Sequence, residues 1–323
     1  MRKITLLLSF VACGLFAQGQ LLLNENFEYV VGTELVTNSW SITGNTATPT
    51  VLVTTSSVTY DGYPSSGIGN EVSLSYNGQD VNKLYTAQTS GTIYTSFLVK
   101  VDSATLVGDY FFNVGANPIG TAFYGRIFVK KDASKKLAFG LQYTSTSGVT
   151  IIPTYSGFDY NLGTTYLIVL KYVIDGANSN TSIIINPAIS STEPTSGWIA
   201  DAQGTQTKPT NIGAVALRQG GATVAGFEKI DGIRVATSWT TLFDPTAVVA
   251  GTSNPKASSF NATVNGKSLE LKNVANGSAV EIFNALGAKV QSSQLVNGAV
   301  AINLTKGLYV VRVGKSTQKF MVK

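Results

Sequence analysis

Short runs in which apolar and polar residues alternate recur along most of the chain, and this period of two is typical of β-strands. In the run 96–101, the apolar Phe97, Val99 and Val101 share one parity against the polar Ser96 and Lys100, and similar runs occur at 137–143 and 166–172. Glycine-containing turn signals separate the runs, at 61–62, 77–78, 175–176 and 220–221. No window of 11 residues shows the 3.6-residue period of an amphipathic helix, so the pattern predicts an all-β chain.

The run 166–172 is apolar on nearly both faces, which is typical of a strand buried between two layers. The composition agrees, because 44% of the residues are hydrophobic, only 13% are charged and 32 are Gly. We therefore predict a jelly-roll β-sandwich over residues 20–245. Closure of such a sandwich would bring the first strand, near 22–29, beside the last strand, near 229–236.

Charge divides the chain into two regions. Residues 20–245 contain 12 basic and 16 acidic residues, whereas residues 246–323 contain 9 and 2, which gives net charges of −4 and +7. The stretch 246–263 is rich in small polar residues and predicts a linker. The lysines beyond it are spread singly along predicted strands, so we interpret them as a solvated basic surface and predict no nucleic-acid partner.

The first residues have the pattern of a secretory signal peptide. Arg2 and Lys3 precede an apolar run at 4–16, and Ala17 and Gly19 provide small residues for cleavage, which predicts a signal peptide over residues 1–19. A span of the bilayer takes ~20 apolar residues, and no later run is as apolar for as long. The sequence therefore predicts a secreted protein that does not span the membrane.

Several catalytic chemistries are excluded by residue type. The chain contains no His, which removes Ser-His-Asp and Cys-His catalysis and imidazole zinc sites. Its single cysteine, Cys13, lies within the predicted signal peptide. Glycosidases need two carboxylates across a cleft, but Glu25 and Glu28 are three residues apart and would point to opposite faces of one strand. We therefore predict that the protein is not an enzyme.

The ends of the first region resemble a known family. The segment 24–28, Trp40 and the closing segment 230–235 resemble concanavalin-like and carbohydrate-binding jelly rolls, notably the family 4 binding modules. The resemblance implies a structural calcium ion that ties the first strand to the last. The implied ligands are Glu28, Asp231 and the main-chain carbonyl of Glu71.

The residues themselves leave two interpretations of this acidic site open. Asp231 shares parity with Ile233 and Val235, so its carboxylate is predicted to point toward the core, where it needs a partner such as calcium. Alternatively, Asp231 caps backbone amides at the turn beside Gly232, and Glu28 is solvated.

The same resemblance implies glycan binding through aromatic faces and polar side chains. The candidate rings, all near Gly-, Pro- or Ser-rich turns, are Tyr60, Tyr63, Tyr124, Tyr155 and Trp198. Arg126 and Arg218 could add bidentate donors. Alternatively, the rings are packed and the arginines are solvated or brace a loop. We predict a non-catalytic glycan-binding or adhesive protein. The alternatives are a structural surface module that lacks a sugar site and, in third place, a glycoside-active enzyme.

The last region has the most specific pattern. Predicted strands at 267–271, 280–290 and 306–313 precede a basic end at 319–323, which favours a small immunoglobulin-like β-sandwich over residues 264–323. This order closely resembles the type A C-terminal sorting domain of the Bacteroidetes type 9 secretion system. The resemblance implies recognition by the type 9 translocon, removal by a sortase-like peptidase, and delivery to the outer-membrane surface or the extracellular medium. A generic immunoglobulin-like appendage is the alternative.

Overall fold

The computed structural model describes residues 19–44, 46–144, 152–202, 208–249, 260–314 and 316–322. Most of the predicted signal peptide, with Cys13, and much of the predicted linker lie outside these residues. The chain divides into two compact units, 1–249 and 250–323. No described helix is long and apolar enough to cross a membrane.

Sheet A of the first unit has eight antiparallel strands. They are β1 (Leu21–Glu25), β3 (Leu52–Thr54), β4 (Glu71–Leu74), β6 (Gly91–Ser103), β12 (Thr165–Ile174), β13 (Asn180–Ile185), β14 (Ile199–Ala202) and β16 (Phe227–Ala236). The order across the sheet is β14-β13-β12-β6-β16-β4-β3, and β1 pairs with β16. This last pairing confirms that the first strand lies beside the last.

Sheet B of the first unit also has eight antiparallel strands. They are β2 (Ser41–Thr43), β5 (Asp80–Gln88), β7 (Asp109–Gly115), β8 (Tyr124–Lys131), β9 (Lys136–Thr144), β10 (Thr154–Tyr155), β11 (Tyr160–Asn161) and β15 (Ile212–Leu217). The order is β10-β9-β8-β7-β15-β5-β2, and β11 pairs with β9.

An apolar core between the two sheets holds the sandwich together. Phe97 of sheet A stacks on Phe112 of sheet B with ring centres 4.2 Å apart, and both rings are fully buried. Burial of each such side chain contributes ~1.5–3 kcal/mol. Alternate residues of each strand enter this core, so the predicted all-β jelly-roll sandwich is confirmed.

A second apolar layer covers the outer face of sheet A. Leu98 and Val169 point into this layer, away from the core between the sheets. They are covered by the segments 55–66 and 186–198 and by the helix α1 (Trp239–Phe243), and the side chain of Ser238 caps the first turn of the helix. Single 3-10 turns lie at Leu35–Thr37 and Gly176–Asn178.

A β-bulge in β16 changes the direction of Asp231. The register shifts between Asp231 and Arg234, and Gly232 has a φ of +59°, which glycine adopts readily. Asp231 pairs with Leu98, which faces the outer layer, whereas Ile233 faces the core between the sheets. The prediction that Asp231 points toward the core is therefore wrong, because the extra residue inverts the alternation on which it was based.

The second unit is formed by strands alone among its described residues. One sheet contains β17 (Asn261–Asn265), β18 (Ser268–Lys272) and β21 (Ala299–Ala301). The other contains β19 (Ala279–Asn284), β20 (Lys289–Gln294), β22 (Gly307–Val313) and β23 (Ser316–Val322). Both sheets contribute to one apolar cluster, which includes Leu269 and Val311 and the stacked rings of Tyr309 and Phe320. The described strands of this unit pair only with one another.

Glu25 is a buried charge that joins three parts of the first unit. Its side chain is 6% exposed and lies 3.3 Å from the ammonium of Lys83. Its carboxylate accepts hydrogen bonds from the backbone N–H of Phe27 at 2.9 Å, the hydroxyl of Tyr29 at 2.7 Å and the indole N–H of Trp40 at 3.1 Å. A buried charge with this many donors stabilises the fold only while all the partners remain.

We expect Glu25→Ala to lower the free energy of unfolding by about 3 kcal/mol, because it leaves the buried indole N–H of Trp40 and the partly buried ammonium of Lys83 without their acceptor. Urea unfolding followed by tryptophan fluorescence measures the loss. The control is Glu28→Ala on the same segment, where the side chain is exposed and the change should stay within about 0.5 kcal/mol. Equal effects of the two substitutions would contradict the assigned role of Glu25.

Candidate functional site

Two of the rings predicted to bind a ligand lie inside the protein. Tyr124 is 5% exposed and packs edge-to-face against Tyr143 and Tyr172 between the sheets. Tyr63 is 4% exposed, and its hydroxyl donates to the carbonyl of Gly232 at 2.6 Å. Since neither ring reaches the surface, both residues pack the fold, and this corrects the prediction that they contact a ligand.

Tyr60 and Trp198 belong to the layer that covers sheet A. Both rings are partly buried against it. The indole N–H of Trp198 donates to the carbonyl of Pro194 at 2.8 Å, and the ring meets Trp239 edge-to-face at 6.0 Å. These two rings therefore lie on the other side of the sandwich from Tyr155, which belongs to sheet B.

The remaining predicted residues, Arg126, Tyr155 and Arg218, come together on the outer face of sheet B. The strand alternation of β8 places Arg126 there, since Ile127 and Val129 are fully turned into the core. Phe128 lies beside Arg126 on the outer face by the same alternation. The outer face of sheet B is therefore the candidate site.

Four residues from neighbouring strands form one row across this face. Tyr110 of β7 is opposite Phe128 of β8, Phe128 is opposite Gly140 of β9, and Gly140 is opposite Tyr155 of β10. The ring centres of Tyr110 and Phe128 are 5.5 Å apart, and those of Phe128 and Tyr155 are 6.4 Å apart. A Cβ at position 140 would lie 2.6 Å from the Tyr155 ring, so any larger residue there would displace this ring from the row.

Two guanidinium groups approach the ring of Tyr110. The Cζ of Arg126 lies 3.7 Å from the ring centre, and the Cζ of Arg218 lies 4.2 Å from it. Arg126 also donates to the side-chain carbonyl of Gln142 at 2.6 Å, and Arg218 forms an ion pair with Asp109 at 2.5 Å. These contacts hold both guanidinium groups in fixed positions.

Lys130 extends the arrangement to two further rings. Its ammonium lies 3.9 Å from the ring centre of Tyr155 and 5.5 Å from that of Phe158, whose side chain is 38% exposed. We call the whole set the ring–cation row; it consists of Arg218, Tyr110, Arg126, Phe128, Tyr155, Lys130 and Phe158.

The ring–cation row has an excess of positive charge. Among the described residues, Arg126 and Lys130 form no ion pair with a carboxylate, and Asp109 pairs with Arg218. Burial lowers the pKa of Arg126, although an arginine stays protonated in proteins. The pKa of Tyr155 is raised to about 12, first by burial and then by the negative charge of Asp109, so this hydroxyl remains a neutral donor.

Sequence reasoning missed Tyr110, Phe128, Lys130 and Phe158. The parity of Phe128 and Lys130 with Arg126 was a usable signal, because residues two apart on a strand share a face. Tyr110 begins a run of three aromatic residues, a pattern that is typical of a buried core strand. Nothing in the sequence indicates that Phe158 contacts Lys130.

Asp231 lies beneath the segment 55–66 on sheet A. Its carboxylate accepts hydrogen bonds from the N–H of Gly232 at 2.6 Å and from the hydroxyl of Ser56 at 3.0 Å. The first contact is the backbone cap that the sequence offered as an alternative to calcium. The pKa of Asp231 is raised to about 7, mainly because burial penalises the charged form and further because of nearby Glu71 and Glu25.

The other two implied calcium ligands have different surroundings. At Glu71 the implied ligand is the main-chain carbonyl; its side chain is fully buried, accepts a hydrogen bond from the N–H of Ser57 at 2.6 Å and lies 3.3 Å from the ammonium of Lys229. The side chain of Glu28 is exposed. Within the described residues, no three acidic, His or Cys side chains form a group that could hold a metal ion. Calcium binding stays a prediction.

Comparisons with known proteins found no matching family model and no matching curated protein. Solved structures with a similar chain path include the CBM2 module of the evolved Dit protein of Lactobacillus casei BL23 phage J-1, with 9% identity over 68% of this chain and 96% of that one and a TM-score of 0.42. Domain 4 of AbnA, a GH43 extracellular arabinanase from Geobacillus stearothermophilus, has 15% identity over 70% and 99% of the chains and a TM-score of 0.38. The endo-1,3-β-glucanase from Streptomyces sioyaensis has 10% identity over 68% and 96% and a TM-score of 0.41.

We expect Asp231→Asn to change how the stability depends on pH. The folded protein binds a proton at Asp231 more tightly than the unfolded chain does, so this carboxyl destabilises the fold progressively as the pH rises from about 4 to about 7. The Asn side chain can accept a hydrogen bond from the N–H of Gly232 and donate one to the hydroxyl of Ser56, and it carries no charge whose burial would destabilise the fold. Thermal melting should show that the free energy of unfolding of the variant, relative to that of the parent protein, is about 2 kcal/mol higher at pH 8 than at pH 5. A difference between the two proteins that is the same at both pH values would contradict the buried, protonated state of Asp231.

Proposed function

We propose that the first unit binds a glycan on the outer face of sheet B. The ring–cation row carries this proposal, because it places aromatic rings beside fixed N–H donors on one face. Phe158 offers an exposed ring on which the apolar side of a sugar can stack, and Lys130 and Arg126 offer donors for its oxygens. The outer face of sheet A is covered by its second apolar layer over much of its area, which favours sheet B as the binding face.

The arrangement supports binding rather than hydrolysis. Cleavage of a glycosidic bond ordinarily uses a pair of carboxyl groups, one of them free to donate or accept a proton. Asp109, the carboxylate in contact with the ring–cation row, is bound to Arg218 and is thereby occupied. We propose a non-catalytic role for this face.

A glycan array probed with the full-length protein tests the binding proposal. We expect Phe158→Ala to weaken binding to any retained glycan about fivefold, because stacking on an aromatic face contributes roughly 1 kcal/mol. Phe227→Ala is the matched control, since Phe227 is a similarly exposed ring at the end of a sheet A strand. Absence of binding by the folded protein would favour the structural surface module instead.

We also propose that the second unit is the export label of the chain. Residues 264–323 resemble a type 9 sorting domain, and the described strands of this unit form sheets and an apolar cluster of their own. Such a unit can be presented to a translocon and cut off while the first unit stays folded. The proposed partners are the type 9 translocon and a sortase-like peptidase, and the proposed location is the outer-membrane surface or the medium.

Deletion of residues 264–323 tests the export proposal in a host with a type 9 system. We expect the truncated protein to accumulate in the periplasm, because it lacks the proposed label while its first unit keeps its own core. Cell fractionation and immunoblotting locate the product. Fusion of residues 260–323, which include the whole of β17, to a reporter that carries a signal peptide should restore export. Normal surface delivery of the truncated protein would disprove the assignment.

A further inference from the structure

We propose that the glycan is anionic and that its carboxylate or sulfate groups contact Arg126, Lys130 and Arg218. This inference rests on the proposed glycan binding at the ring–cation row and adds the chemical class of the ligand.

At one end of the ring–cation row, the faces of the aromatic rings are covered by other side chains of the protein. Tyr110 is 7% exposed and Phe128 is 9% exposed, and the guanidinium groups of Arg126 and Arg218 both lie close to the Tyr110 ring. A sugar ring has little aromatic surface to stack on at this end, unlike at Phe158. What a ligand meets there is the guanidinium groups, which donate hydrogen bonds and accept none. The complementary ligand group is therefore an acceptor, and an anion is the strongest acceptor.

The charges of the ring–cation row also favour an anionic ligand. Arg126, Arg218 and Lys130 share the row, and Asp109 neutralises Arg218. Burial disfavours the charge on Arg126, and the nearby charge of Arg218 disfavours it further. A ligand anion between these groups would relieve both costs, whereas a neutral sugar would relieve neither.

The positions of the cations are fixed before a ligand arrives. Arg126 is held by its contact with Tyr110 and by its 2.6 Å hydrogen bond to Gln142, and its buried Nε has no hydrogen-bond partner. Lys130 is held between Tyr155 and Phe158. Cations that are already ordered lose little side-chain entropy on binding, which favours recognition of a charged group at a defined spacing.

Two pairs of probes that differ in charge test the inference on the full-length protein. Tetragalacturonate is compared with its fully methyl-esterified form, and dextran sulfate with dextran, by isothermal titration calorimetry. We expect at least one acidic probe to bind ten or more times more tightly than its neutral partner, and its affinity to fall as NaCl is raised from 50 to 300 mM. Which pair responds tells a carboxylate ligand from a sulfate ligand.

Substitutions locate the effect. Arg126→Gln and Lys130→Gln should each weaken binding of the acidic probe about tenfold, and should weaken binding of the neutral probe by a smaller factor because that probe loses only a hydrogen-bond donor. Arg126→Lys keeps the charge and loses the planar fork, so it should fall between the parent protein and Arg126→Gln. The control is Lys100→Gln, which removes one charge from the outer face of sheet A and should leave binding unchanged. Melting temperatures verify that each variant is folded.

The outcomes separate this inference from the proposed function. Equal affinity for charged and neutral probes, with binding still lost in Phe158→Ala, overturns the anionic ligand and leaves glycan binding intact. Charge-dependent binding that responds equally to Lys100→Gln and Arg126→Gln also overturns it, since the attraction would then be non-specific. Failure of the folded protein to bind any glycan overturns both.

Discussion

The apolar core between sheet A and sheet B is the constraint on which the rest of the first unit depends. Because alternate residues of every long strand must enter this core, the residues between them are forced onto an outer face. On β8, the burial of Ile127 and Val129 fixes the outward direction of Arg126, Phe128 and Lys130. The proposed binding face is in this sense a consequence of how the core is packed.

Buried polar groups decide which outer face stays available. Arg234 is 2% exposed and donates from its guanidinium to the carbonyls of Leu242 and Asp244 at 2.8 Å, which fastens α1 and the residue after it to sheet A. Glu25 similarly holds Trp40 near the first strand through the indole N–H. The Arg234 contacts help to close the outer face of sheet A, whereas Trp40 packs in the core between the sheets. The outward side chains of sheet B are ordered by cation–π contacts, by the Arg126–Gln142 hydrogen bond and by the Arg218–Asp109 ion pair.

The two units divide the proposed roles between them. The first unit carries the proposed anionic-glycan face on a region of net negative charge, so the positive ring–cation row is a local feature rather than a reflection of overall charge. The second unit carries most of the excess positive charge and the proposed export label. Because each compact unit has its own core, glycan binding and export can be tested and can fail independently.

The sequence alone determined the all-β class, because alternation and turn chemistry are local properties of a strand. It also placed Arg126, Arg218 and Tyr155 among the candidate residues, and the pairing of the first strand with the last followed from the closure of the jelly roll that this class predicted. Only the tertiary structure decided that Tyr63 and Tyr124 are buried, that the bulge at Gly232 turns Asp231 away from the core, and that Tyr155 passes over Gly140 to meet Phe128. Those outcomes depend on which distant strands become neighbours and in what register. Pairing of that kind is set by packing of the whole sandwich and leaves no mark on any single strand.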